Sequence, residues 1–231
     1  MTLSRAITAL RDQVLADLAA AHDYYTDTKI AWRMVHDDIK AGHTITIRNM
    51  TTGTVTTQAE LVAKARGYVT GQLAEATFQQ FVSIFENFYL DLLVLWLTAH
   101  PESLGKRTVD LRTILELPDK DAVTRLVVRK ELDDVLHGPP SRWFEYLEGR
   151  VKLGCPAADE IGRFAEAKAS RDVLVHNKGI ANKTYGSKAG DRARFQEGDR
   201  INIPEHYHRE TWELIRKIVS DVADAAGAKA S

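Results

Sequence analysis

Residues 78–97 read FQQFVSIFENFYLDLLVLWL. Phe78, Phe81, Phe85, Phe88 and Leu92 step by three and four positions, the period of a helix and not of a strand. An aromatic stripe of this period belongs to a core, so it needs other helices to cover it. The N-terminal sequence supplies one. From Leu3 to about Ile39, Leu3, Ile7, Leu10, Val14, Leu18, Ala21 and Tyr25 recur with the same spacing, and no proline interrupts. Trp32, Val35 and Ile39 finish this helix, and Ala41-Gly42 is its expected stop.

Between the two stripes the pattern changes. His43 to Thr57 is rich in threonine and β-branched residues, alternating as Thr44-Ile45-Thr46-Ile47, with Gly53 at a turn before Thr54-Val55-Thr56. This predicts a small β-hairpin insertion over 43–57. Thr57-Gln58-Ala59-Glu60 fits a capping box, in which Thr57 and Glu60 satisfy each other's free N–H groups. The helix it starts runs to about His100-Pro101, with a bend or close contact expected at Gly67 and Gly71. Beyond Pro101, Asp119 caps a helix from about Lys120 to Leu136, which Gly138-Pro139-Pro140 breaks. A short helix carries Trp143, Phe144, Tyr146 and Leu147. Cys155-Pro156, followed by Asp159 and Glu160, reads as a helix start with proline in the first turn, Cys155 capping it and acids at the positive dipole end. That helix contains Arg171 and frays near His176. Residues 177–200 are polar and glycine-rich, hence loop. Pro204 opens a last amphipathic helix through Trp212 to about Ala225, and Gly227 to Ser231 form a tail of small residues. The expectation is one all-α domain over 1–231, a bundle of long helices.

The 231 residues are 44% hydrophobic and 27% charged, with 31 basic side chains against 32 acidic ones. This composition excludes disorder, collagen-like repeats and a disulfide scaffold. The longest unbroken apolar run is Leu92 to Leu97, short for a membrane span. Residues 1–11 are amphipathic and charged, unlike the apolar core of a signal peptide, and Cys155 has no second cysteine to pair with. A cytoplasmic protein with no membrane partner is therefore expected.

The segment richest in chemistry is Arg171-Asp172-Val173-Leu174-Val175-His176-Asn177-Lys178. On a helix Arg171 and His176 project about 140° apart and about 7.5 Å along the axis, too far for one tight pair. They flank a seam marked by Ile161, Phe164 and Val175, where another element or a second protomer would complete a site. Asp172, one turn before His176, is placed to hydrogen-bond its imidazole. Residues 178–200 hold six basic side chains (Lys178, Lys183, Lys188, Arg192, Arg194, Arg200) and three acids, a local +3 against −4 for the remainder. Such a loop can hold phosphates, and Tyr185 and Phe195 can stack on bases. Glu86, surrounded by apolar neighbours, wants a cationic partner such as Arg171 or His176. His206 and His208 lie about 200° apart on a helix and form no zinc clamp. No metal and no cofactor are expected.

Arg171-Asp172-x-x-x-His176 resembles the arginine–polar–variable–histidine motif of the HEPN superfamily, small helical domains of many prokaryotic ribonucleases and toxins. Glu166-Ala167-Lys168-Ala169-Ser170 leads into the motif as in that family. His176-Asn177-Lys178-Gly179-Ile180-Ala181-Asn182 and Tyr185 resemble its continuation, and Phe81-Val82-Ser83-Ile84-Phe85-Glu86-Asn87-Phe88 its aromatic helix with a central acid. The resemblance covers about Ala74 to Val222. It implies a HEPN-like bundle and metal-independent RNA cleavage by a homodimer, in a toxin or antiphage defence system with an antitoxin or defence partner. It makes Arg171 and His176 the catalytic pair, with Asp172 and Glu86 supporting. The implied RNA contacts are Asn177, Lys178, Lys183, Tyr185 and Lys188. Two other readings stay open: a non-catalytic helical dimer that binds RNA, a nucleotide or a protein, and a purely structural helix end in which cations complement the dipole.

Overall fold

The two stripes become the first and longest partners of a helical core. The computed structural model describes residues 2–104 and 108–230, and it is all-α apart from one two-stranded hairpin. Helix α1 spans Leu3–Lys40 and α3 spans Leu73–Ala99; between them lie β1 (Ile47–Arg48), β2 (Val55–Thr56) and α2 (Gln58–Gly67). There follow α4 (Leu111–Glu116), α5 (Lys120–Leu136), α6 (Pro140–Val151), α7 (Ala158–His176), α8 (Lys183–Ala189) and α9 (Glu205–Lys229).

Helix α3 is the axis of the fold. Phe78, Phe81, Phe85, Phe88 and Leu92 are all buried, packed against α1 and α9, which also pack on each other. Trp212 of α9 donates its indole N–H to the Leu18 carbonyl of α1 at 3.0 Å. Helix α7 lies against α3, α6 and α9, with Phe164 fully buried and 4.2 Å from Phe85 between ring centroids. The mean hydropathy and length of Leu73–Ala99 would suffice to cross a membrane, yet half of its most apolar window is buried inside the fold.

Local signals account for most boundaries. Helix α1 ends at Ala41, with Gly42 at φ +89°, as the Ala41-Gly42 stop predicts. The Thr57–Glu60 capping box is complete, and Asp119 caps α5 by accepting from the Ala122 N–H at 2.7 Å. Between Gly67 and Leu73 the chain widens into one π-helical turn, Tyr68–Gln72, so the glycine pair marks a real irregularity.

Four expectations need correction. The hairpin pairs only Ile47 with Thr56 and Arg48 with Val55. Gln58 holds Ile45 instead, accepting from its N–H at 3.2 Å and donating to its carbonyl at 2.6 Å, which keeps residues 44–46 out of the ladder. Pro156 precedes the α7 N-cap, which is Ala157, so neither Pro156 nor Cys155 stands where predicted. Residues 183–189 are helix, because Asn182 caps them by accepting from the Tyr185 N–H at 2.9 Å. The small residues after Ala225 stay helical to Lys229, with Ala226 and Gly227 buried (Ser231 lies outside the described residues).

Candidate nucleic-acid cleft at the end of α7

The site is built from one helix end and the turn that follows it. Helix α7 begins with Glu160 accepting the Ala157 N–H at 2.8 Å and runs to His176. Asn177 closes it, its N–H donating to the Val173 carbonyl at 2.9 Å. Lys178 (φ +54°) and Gly179 (φ +74°) then turn left-handed, so that the Gly179 N–H also reaches the Val173 carbonyl, at 3.1 Å. A β-bridge between Ile180 and Arg200 ties down the far side of the turn. Helix α8 folds back along α7 and presents Lys188.

An open cleft of about 420 Å³ results. Lys168, Arg171, Asp172, His176, Asn177 and Lys188 line it, with Asn182, Thr184 and Tyr185. Arg171 and His176 thus share one cavity although they leave the helix on different sides, because α8 supplies the opposite wall. Lys178 and Lys183 are exposed and outside the cleft lining.

Charge organises the cleft floor. Arg171 is 14% exposed at its side chain; its Nη2 pairs with Glu86 of α3 and its Nη1 lies 3.2 Å from Asp172. Lys168 binds Glu86 at 3.1 Å and Asp172 at 3.2 Å, and Lys188 reaches Asp172 at 3.1 Å. Three cations against two carboxylates leave the network at +1. Burial alone would raise the Asp172 carboxyl, but Lys168, Lys188 and Arg171 together hold it below the usual carboxylate range. The Arg171 Nε–H is buried with no acceptor among the described residues.

The predicted Glu86–Arg171 pair is therefore present. Three other expectations are corrected. Asp172 does not orient His176; it is spent on three cations, and exposed His176 has no hydrogen-bond partner among the described residues. Tyr185 cannot stack on a base, because it is buried, 1% exposed. Its hydroxyl donates to Glu166 at 2.8 Å and accepts from the Arg194 N–H at 2.9 Å, and burial pushes it up to about 12. The seam of Ile161, Phe164 and Val175 is not continuous, since Phe164 faces the chain's own core while Val175 is half exposed. The Asn177 side-chain amide is committed too, donating to the Ile180 carbonyl.

Two residues were not singled out from sequence. Lys168 stands four residues before Asp172, the spacing of a helical ion pair, and that spacing was the available signal. Glu166, buried and accepting from Ser170, Tyr185 and Tyr207, takes its partners from three elements, and no local pattern announces it. Among the described residues no group of three or more His, Cys, Asp or Glu side chains converges as a metal site.

The fold and cleft define an all-α protein with a basic site at one helix end. No family of known proteins, no curated protein and no solved structure matches the chain.

Proposed function

We propose that the chain is a metal-independent RNA endonuclease of HEPN type, acting as a homodimer in the cytoplasm within a toxin or antiphage defence system. One observation carries the reading: α7 and α8 gather Arg171, His176, Asp172, Asn177 and Lys188 around one open cleft with surplus positive charge.

The chemistry these groups suit is transesterification. Lys188 and Lys168 attract the phosphate backbone of a strand entering the cleft. The strand's ribose 2′-OH attacks the adjacent phosphorus, its proton passing to a histidine; the P–O5′ bond breaks, and the 5′ oxygen leaves with a proton. The products are a 2′,3′-cyclic phosphate and a 5′-OH. His176, exposed and free to reorient, suits either proton transfer, because an imidazole carries one nitrogen that can accept a proton and one that can donate it. Arg171 stabilises the negative charge that grows on the non-bridging oxygens. A second copy brings the second histidine, so that one acts as base and the other as acid.

The test is cleavage of RNA by purified dimer in EDTA, with the ends identified as 2′,3′-cyclic phosphate and 5′-OH. His176→Ala should slow cleavage about 10²–10⁴-fold, the usual weight of a proton-transfer group. Cleavage by the variant at the parental rate sinks the proposal. A non-catalytic RNA-, nucleotide- or protein-binding dimer is favoured by a different observation, the engagement of Arg171 by both Glu86 and Asp172. That reading expects His176→Ala and Arg171→Ala to alter binding with no cleavage in any of the proteins.

A further inference from the structure

On the other side of α7 lies a second cavity, of about 250 Å³. Arg163 and Asp172 are nine residues apart and so project from opposite sides of the helix. The cavity opens between the N-terminal half of α7, the turn at 192–194 and the first turn of α9. Arg163, Arg192, Arg194 and His206 line it above Glu166 and Tyr207, with Glu210 also in its wall.

We propose that this cavity binds a phosphate group, carried by a nucleotide or by an RNA strand. The first argument is the supply of uncommitted cations. Arg192 is paired with Asp159, whereas Arg163 and Arg194 have no carboxylate partner among the described residues. Glu166 makes no ion pair with either arginine, although its charge lies beneath the cavity. It is 3% exposed, and its two oxygens already accept from the hydroxyls of Ser170, Tyr185 and Tyr207.

The second argument is preorganisation. The Arg194 guanidinium lies 3.4 Å from the centroid of the Tyr207 ring and 5.4 Å from that of Phe195. Its backbone N–H is anchored on the Tyr185 hydroxyl at 2.9 Å. A guanidinium stacked on a ring keeps its edge of N–H donors for a planar pair of oxygens, the geometry that phosphate offers. The third argument is the helix end. Pro204 supplies no side-chain acceptor to the first turn of the 25-residue α9, and His206 and Tyr207 of that turn are in the cavity wall. The positive end of a helix dipole there favours an anion. The volume suits a phosphate with its attached sugar. Glu210, one turn from His206, and buried Glu166 are the opposing charges.

The proposal concerns binding and is independent of cleavage at the α7 cleft. Its test is calorimetric titration of the full-length chain with inorganic phosphate, with adenosine 5′-monophosphate, and with an oligoribonucleotide that ends in a 5′-hydroxyl. Saturable binding should weaken about tenfold in Arg163→Gln, the loss of one charge-assisted hydrogen bond, and tighten in Glu210→Gln. Arg194→Lys, which keeps the charge and loses the planar fork, should also weaken it. Saturation by the mononucleotide assigns the site to a terminal phosphate. Saturation by the oligonucleotide alone, still sensitive to Arg163→Gln, assigns it to the backbone of a strand. The proposal is overturned if no probe saturates, or if Arg163→Gln and Arg194→Lys leave every titration unchanged. It is equally overturned if phosphate and the mononucleotide respond to Lys188→Ala in the cleft and not to Arg163→Gln.

Discussion

Mild acid should destabilise this fold well before its carboxylates titrate, and His208 is the reason. The ring is 1% exposed and packed among Tyr25, at 4.1 Å between centroids, Phe81, at 4.8 Å, and His22, at 6.3 Å. Its Nε2 lies 2.7 Å from the Thr77 hydroxyl oxygen, whose own proton goes to the Leu73 carbonyl at 2.8 Å. Nε2 is therefore the donor, and burial keeps the ring neutral. A second proton would sit among aromatic rings. Burial, seconded by His22, accordingly brings the His208 pKa down from 6.5 to about 4.

The sign follows from proton counting. As pH falls below 6.5 the unfolded chain takes up a proton at this position and the folded chain does not, so stability drops until pH approaches 4. Between pH 7 and pH 5 this one site removes about 2 kcal/mol, or about 4–8 °C of Tm for a chain of this length. His22, lowered chiefly by its own burial, acts in the same direction. Urea melts of the parent and of His208→Gln, which keeps a donor for Thr77, should be run at both pH values. The variant should start less stable but lose about 2 kcal/mol less on acidification. Equal losses in the two proteins would refute the reasoning.

Two further predictions concern the elements that build the cleft. Lys178 holds a left-handed φ of +54° at the α7 exit, so Lys178→Gly should stabilise the chain by about 1 kcal/mol, seen as a Tm gain of roughly 2–4 °C. A lower Tm would mean that the lysine side chain compensates its backbone. Tyr185→Phe removes one of three donors from buried Glu166 and the acceptor of the Arg194 N–H, and should cost about 1–3 kcal/mol in chemical denaturation. Parental stability in that variant would show that neither group depends on the hydroxyl.

The helical architecture was legible wherever a stripe or a cap is written locally. Leu3–Lys40, the Thr57 box and the Asp119 cap need only neighbours within four residues to declare themselves. The cleft was legible in part of its membership, without Lys168 and with Lys178 and Lys183 in excess, and not in its wiring. The Arg171–Glu86 pair could be anticipated because a semi-buried acid needs a cation. Asp172, by contrast, has two rival partners within one turn, His176 and Lys168, and spacing cannot rank them. The ranking comes from α8, which delivers Lys188 to the same carboxylate. Tyr185 was misread for the same reason. Its capping neighbour Asn182 makes a helix of what composition describes as loop, and that helix turns the ring inward to Glu166.

Helix α1 carries one more consequence. Its last buried residue is Tyr25, yet it continues unbroken for fifteen residues to Lys40, about 22 Å at the rise of an α-helix. The hairpin follows this extension in the chain, and α2 packs back on it, with Leu61 and Ala65 buried. Met50 stands 93% exposed at the hairpin turn. The extension is a handle continuous with the shaft of the core. No glycine or proline interrupts the helix between Tyr25 and Lys40, and further back the same helix meets α9, where Trp212 donates to the Leu18 carbonyl and α9 in turn packs on the helix that carries the cleft.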